Sequence, residues 1–198
     1  MTRVVADITM SLDGYVTGPD PDQEHGLGVG GVALHRWAFS DDPIDAEQLR
    51  AGTERSGAVV MGRRLFDIVA GPRGWDDDVG YGAREVGSPP FFVVTHSPPE
   101  HPRLGLDFTF VVDGVAAAID RARAVAGDHD VVIMGGADVI AQALDAGLVD
   151  ELHLHLAPMV LGAGTPLFRN VDRTEMRQTD VQVSPFATHL TFEIDRDD

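Results

Sequence analysis

The most constraining feature of this chain is a repeated order. Short β-branched, apolar runs alternate with segments of helical period. The runs are Val4 to Met10, Ala58 to Met61, Phe91 to Thr95, Phe108 to Val112, Val131 to Met134 and Leu152 to Val160. Runs this short read as strands whose two faces are both covered. Between them, 114–126 carries Val115, Ala118, Ile119, Ala122 and Val125 on one stripe, with Asp113 as its expected cap and Gly127 where a left-handed residue closes a helix. A second helix is predicted over 137–146, stopping at Gly147. A third is predicted over 43–55, opened by Asp42-Pro43 as N-cap and first-turn residues. Strand-helix alternation implies an α/β domain with a doubly wound, mainly parallel sheet. The end of the chain differs: 176–194 holds two alternating runs around Ser184-Pro185, which predict an antiparallel hairpin on the sheet edge. The Gly-, Pro- and Asp-rich segment 18–31 predicts a long mobile loop. No repeat or linker divides residues 1–198, so one domain is expected.

Composition narrows the chemistry. The chain has 198 residues and a net charge of −17; its 15 basic residues are all arginine, and it has no cysteine. Thiolate nucleophiles, disulfides, Cys-type zinc sites, Schiff-base lysines and Walker-type phosphate lysines are therefore excluded. The acidic balance argues against nucleic acid and anionic membrane surfaces as partners, and an anionic ligand needs a local arginine cluster. No apolar run approaches the roughly 20 residues of a membrane span. The N-terminus lacks the pattern of a signal peptide, so a cytoplasmic protein is expected.

Three strand ends carry the functional signal. Ala58–Met61 runs into Gly62-Arg63-Arg64, Phe91–Val94 into Thr95-His96-Ser97, and Val131–Met134 into Gly135-Gly136 and a helix. Ligands of open α/β sheets sit at the carboxyl ends of strands. A glycine turn leading into a helix N-terminus collects free N–H groups for an anion, and glycine lets a phosphate approach the backbone. Either glycine turn alone also reads as an ordinary tight connection. Together with two arginines they suit a dinucleotide bearing an extra phosphate. The segment Gly26-Leu27-Gly28-Val29-Gly30-Gly31 imitates a dinucleotide fingerprint but follows a polar loop rather than a strand. His153 and His155 alternate on one strand face, as metal ligands or, with no third ligand evident, as pocket-lining residues. Trp37 and Phe39 read as core or pocket lid, Trp75 as a loop anchor, and the acidic run 76–78 as a solvated turn.

Taken in order, Ser11-Leu12-Asp13-Gly14-Tyr15-Val16, Val59-Val60-Met61-Gly62-Arg63-Arg64, Met134-Gly135-Gly136, and Leu148 to Pro158 with Leu161-Gly162, Gly164-Thr165-Pro166-Leu167-Phe168 resemble the dihydrofolate reductase superfamily. The chain is most similar to the branch of the riboflavin-biosynthesis reductase (RibD C-terminal) domain and its stand-alone relatives. The resemblance spans about residues 3–194. It implies an NADPH-dependent reductase that passes a hydride to a small heterocycle, such as a 5-amino-6-(5-phosphoribosylamino)uracil. Dihydrofolate reduction and a non-catalytic nucleotide-binding module are the alternatives. Carried over by motif, Gly62, Arg63 and Arg64 meet the cofactor phosphates. Thr95, His96 and Ser97 lie by the adenosine ribose, and Gly135, Gly136, Ala137 and Asp138 by the pyrophosphate. Leu12, Asp13, Gly14 and Val16 flank the nicotinamide. One carboxylate near the start of the helix before Met-Gly-Arg serves as proton donor in the family's folate enzymes. Asp45 falls closest, with Glu47, Asp41 and Asp42 competing, and Asp45 also reads as an ordinary acidic residue in a helix's first turn. His155 and Trp37 are the expected substrate contacts. No metal is implied. The family is often dimeric, and an apolar edge near 152–168 is the expected two-fold contact.

Overall fold

The structure, a computed structural model, describes residues 2–76 and 88–195. The strands of its main sheet are β1 (Val4–Ser11), β3 (Ser56–Gly62), β4 (Phe91–Val94), β5 (Phe108–Val111), β6 (Asp130–Gly135), β7 (Glu151–Ala157), β9 (Met176–Val183) and β10 (Thr188–Ile194). Their spatial order is β5-β4-β3-β6-β1-β7-β10-β9. All pairings from β5 to β7 are parallel, and the β9–β10 hairpin adds antiparallel to β7. A separate two-stranded ribbon pairs β2 (Tyr15–Thr17) with β8 (Thr165–Pro166). The helices are α1 (Pro43–Arg55), α2 (Arg63–Val69), α3 (Val115–Val125) and α4 (Ala137–Asp145), with a 3-10 segment at Gly31–Phe39. Among the described residues, no helix is long and apolar enough to cross a membrane.

The period-two pattern of the strands sorts the two faces. On one face Val4, Ala6, Val131, Ile133, Leu152 and Leu154 pack against Ala118, Ile119 and Ala122 of α3 and Ile140 and Leu144 of α4. Ile119 and Ile140 are fully buried, each contributing about 1.5–3 kcal/mol by leaving water. On the other face, Val59, Met61, Phe91 and Val93 pack under Phe66 and Val69 of α2. Beyond β6 that face turns polar: Asp7 and Thr9 of β1, His153 and His155 of β7 and His189 of β10 lie there, under the 3-10 segment and α1. The winding on both faces matches the expected class.

Local signals explain most element ends. Asp42 caps α1, accepting from the Ile44 N–H at 2.9 Å, with Pro43 at the first position. Gly127 and Gly147 take φ of 62° and 63° after α3 and α4. Three expectations need correction. Asp113 does not cap α3; Gly114 is the N-cap at φ 93°, and Asp113 instead pairs with Arg121 at 2.5 Å. Segment 18–31 is a laced turn, closed by Gly18 N–H to Leu27 O and Val29 N–H to Pro19 O. Gly18 and Gly28 are there for contact: a Cβ would fall 1.9 Å from Val29 O on the first and 2.2 Å from Pro19 O on the second. The first part of the edge expected near 152–168 is no edge, because β7 lies between β1 and β10; the outer strands of the main sheet among the described residues are β5 and β9, while Thr165–Pro166 belongs to the two-stranded ribbon. Trp75 does anchor its loop, tilted against Phe91 with its carbonyl accepting from Arg103. Residues 77 and 78 of the acidic run lie outside the described residues.

Candidate active site

Two sets of side chains meet at this sheet. The first gathers at the carboxyl ends of β4, β3 and β6, which are neighbours. Arg63 opens α2 and is held by Asp67 at 2.8 Å. Its Nη1 donates both to Thr95 Oγ1 at 3.5 Å and to the Ser97 carbonyl. Thr95 Oγ1 in turn accepts from Ser97 N–H at 3.2 Å. Arg64 is 88% exposed at its side chain and, among the described residues, pairs with the Asp138 carboxylate of α4 at 3.4 Å. Gly62 and Gly136 lie side by side: a Cβ on Gly62 would fall 2.9 Å from Val139 Cγ2 and 3.6 Å from Gly136 N, while a Cβ on Gly136 would meet nothing. The three loops singled out in the sequence therefore converge. His96 is exposed and Ala137 buried.

The loop after β1 is fixed by one carboxylate. Asp13 accepts from Ser11 Oγ at 2.6 Å, Leu161 N–H at 3.0 Å and Gly162 N–H at 2.7 Å. The Ser11 hydroxyl and those amides hold its pKa down to about 2. Gly14 takes φ 90° in the turn. Leu12 stands exposed, and Val16 points into the core.

The second set is a polar chain on the face beyond β6. Asp7 is 28% exposed at its side chain, and its Oδ1 lies 3.1 Å from His155 Nε2. His155 Nδ1 lies 2.7 Å from His189 Nδ1, and His189 Nε2 lies 2.8 Å from Asp45 Oδ1. Ser40 Oγ donates to Asp45 Oδ2 at 2.5 Å. Trp37 closes over the pair, its ring centroid 4.1 Å from that of His155 and 5.1 Å from that of His189. Its Nε1–H donates to Thr9 at 3.0 Å. Alongside, His153 lies 4.0 Å from Asp7, 3.0 Å from Glu151 and 3.5 Å from Arg55.

The electrostatics follow from burial and partners. Burial alone would raise both carboxylates. For Asp45, donors Ser40, Ser184 and His189 outweigh it; for Asp7, His155, His153 and Arg55 do, so both stay below the usual range. Burial lowers the pKa of His189, with Asp45 opposing it. His35 is lowered to about 4 by burial and by neighbouring His155, against the pull of Asp7. Its Nδ1 is buried without a hydrogen-bond partner among the described residues.

Of the expected site residues, Asp45, His155 and Trp37 join one cluster, with Asp45 fully buried inside it. Sequence reasoning missed Asp7, His189 and Ser40. The available signals were a carboxylate inside the apolar run of β1, and a histidine on the strand face opposite Leu190, Phe192 and Ile194. A further sign is that α1 buries Asp45 and Thr53 rather than apolar residues.

The sheet order, the parallel crossovers and the glycine turns define a dihydrofolate reductase-like α/β fold. Residues 2–192 match the family model of the RibD C-terminal domain, and the chain belongs to that family. It is similar to the uncharacterized protein YyaP of Bacillus subtilis, 24% identical over 172 residues, or 85% of this chain and 81% of that protein. Among solved structures, a protein from Shewanella sp. PV-4 named for riboflavin biosynthesis superposes with TM-score 0.70 at 23% identity, covering 98% of this chain and 100% of that one. Dihydrofolate reductase from Enterococcus faecalis, complexed with NADP(H), superposes with TM-score 0.59 at 16% identity, covering 98% and 97%. These likenesses carry the fold; the family rests on the sequence match.

Proposed function

We propose that this protein is an NADPH-dependent reductase that passes a hydride to a small heterocyclic substrate, working as a cytoplasmic homodimer. The observation that carries this reading is the convergence of Gly62-Arg63-Arg64, Thr95-His96-Ser97 and Gly135-Gly136-Ala137-Asp138 at three adjacent strand ends. The residues fit the cofactor. Gly136 leaves open space beside its backbone for a phosphate, and Gly62 lets α4 pack close against the end of β3. Arg64 holds an exposed guanidinium for a 2′-phosphate, which its forked donors suit. Arg63, already tied to Asp67, Thr95 and Ser97, shapes the ribose side. When bound, NADPH supplies the hydride. This chain's residues orient it, with Asp13 fastening the 12–16 loop to residues 161 and 162. Asp45 acts in this reading from within the histidine cluster rather than at the substrate. His155 and Trp37 form the floor beneath the substrate.

The test is consumption of NADPH absorbance with dihydrofolate, ribosylaminopyrimidines and other reducible heterocycles. Turnover on one of them supports the reading. Binding without turnover across the panel favours a non-catalytic nucleotide-binding module.

A further inference from the structure

The cluster at β1, β7, β10 and α1 forms one unbroken line: Asp45, His189, His155, Asp7. It has a buried end and an open end. Asp45 is fully buried, whereas Asp7, in register with His153 of β7, keeps 28% of its side chain exposed. Groups of both signs face the line: Glu151 and His153 from β7, Arg55 from α1 and His35 from the 3-10 segment. Ser40 and Ser184 donate to Asp45.

The number of protons follows from the contacts. Three hydrogen bonds join four groups, at 2.8 Å, 2.7 Å and 3.1 Å. Each needs one proton, because a carboxylate and an imidazole lone pair cannot satisfy each other unaided. With both carboxylates ionised, all three protons reside on the two imidazoles. Two neutral imidazoles hold two, so the pair carries one extra proton and one positive charge. Asp45 and Asp7, one at each end, flank that charge and leave the set with one net negative charge, and Trp37 covers the rings.

We propose that Asp7 is the acid that protonates the substrate, and that the His155–His189 pair, charged by Asp45, is its proton reserve. This rests on the reductase reading and deepens it. The outer proton moves from His155 Nε2 to Asp7 Oδ1 while the central proton settles on His155 Nδ1. Asp7 is then a neutral carboxylic acid, both imidazoles are neutral, and the set keeps its net charge. A C=N or C=O bond of the substrate takes two electrons with the hydride that a dihydronicotinamide supplies, and its heteroatom takes the Asp7 proton. The nicotinamide is oxidised and the substrate reduced. Asp7 returns to carboxylate, and one proton from water at its open side restores the pair. Asp45 and His189 are positioning residues in this scheme: they fix tautomer and charge without reaching the substrate.

The experiment has two readouts on the full chain. In histidine-labelled protein, nitrogen-nitrogen coupling across the shared proton reports the His155–His189 bond with no substrate present. Coupling in the wild type, lost in His189→Gln, is the expected result; its absence from wild-type protein overturns the proposal. The second readout uses NADPH with dihydrofolate or a ribosylaminopyrimidine. Asp7→Asn, isosteric and part-exposed, lowers kcat about 10²–10⁴-fold with NADPH affinity unchanged. Because activity needs the extra proton on the pair, rate falls as pH rises, and burial, which lowers the His189 pKa, brings that fall to lower pH. Asp45→Asn removes a stabilising charge and moves that fall to lower pH by about one unit, a change that mere loosening of the fold does not produce. Full kcat in Asp7→Asn, or an unmoved profile in Asp45→Asn, overturns the proposal. Wild-type protein that fails to bind NADPH overturns the reductase reading instead, and the coupling measurement still decides the proton reserve.

Discussion

His35 gives a sharp test of the buried polar face. Its side chain is held neutral: the pKa falls from 6.5 to about 4, chiefly because burial disfavours the charge and His155 adds to the penalty. A base with a depressed folded pKa binds its proton more weakly folded than unfolded. Its cost to stability is therefore absent above about pH 6.5 and grows as pH falls from 6.5 toward 4. Linkage between those two values gives a loss of about 2 kcal/mol from pH 7 to pH 5, and about 3 kcal/mol by pH 4. His35→Phe keeps a ring of similar size and removes both the titration and the unpaired Nδ1. Urea unfolding at pH 7, 6 and 5 of both proteins reads the difference, and acidic groups common to the two cancel. The stability gap should move by about 2 kcal/mol in favour of the variant on going from pH 7 to pH 5. A gap that stays constant within about 0.5 kcal/mol would refute the burial argument.

Other perturbations follow from the same contacts. Arg64→Ala should weaken NADPH about 10–100-fold, the worth of one or two charge-assisted hydrogen bonds, while NADH changes little; titration calorimetry with both cofactors checks this. Gly18→Ala places a methyl against the Val29 carbonyl and should cost at least about 2 kcal/mol, read as a lower urea midpoint with an unchanged slope. Asp13→Asn removes the carboxylate that accepts from the 161 and 162 amides; hydrogen exchange at Leu161 and Gly162 should accelerate while α3 stays protected.

Much of the fold was legible because its signals are local. The β1, β3 and β6 runs, the α3 stripe, the Asp42-Pro43 start and the Ser184-Pro185 hairpin all express period, capping or turn chemistry within a few residues. The misreadings came where a distant partner decides. Asp113 looks like a cap, but Gly114 takes φ 93° and frees its carboxylate for Arg121. Gly18 and Gly28 look like flexibility and are close backbone contacts. Residues 152–157 look like an edge until β10 returns to cover them. The same divide runs through the site. Its glycine turns sit next to the strands that aim them, so they can be read in line. The polar chain joins β1, α1, β7 and β10, with Asp45 and His189 separated by 144 positions, and no local pattern announces such a meeting.

The proposed reductase holds its dinucleotide across the two glycine turns. Amide resonances of the labelled protein, followed as NADPH is added, test it directly. Shifts should concentrate at Gly62–Arg64, Thr95–Ser97 and Gly135–Asp138, with the outer strand β9 unmoved. No shift at millimolar NADPH, or shifts confined to other parts of the fold, would contradict it.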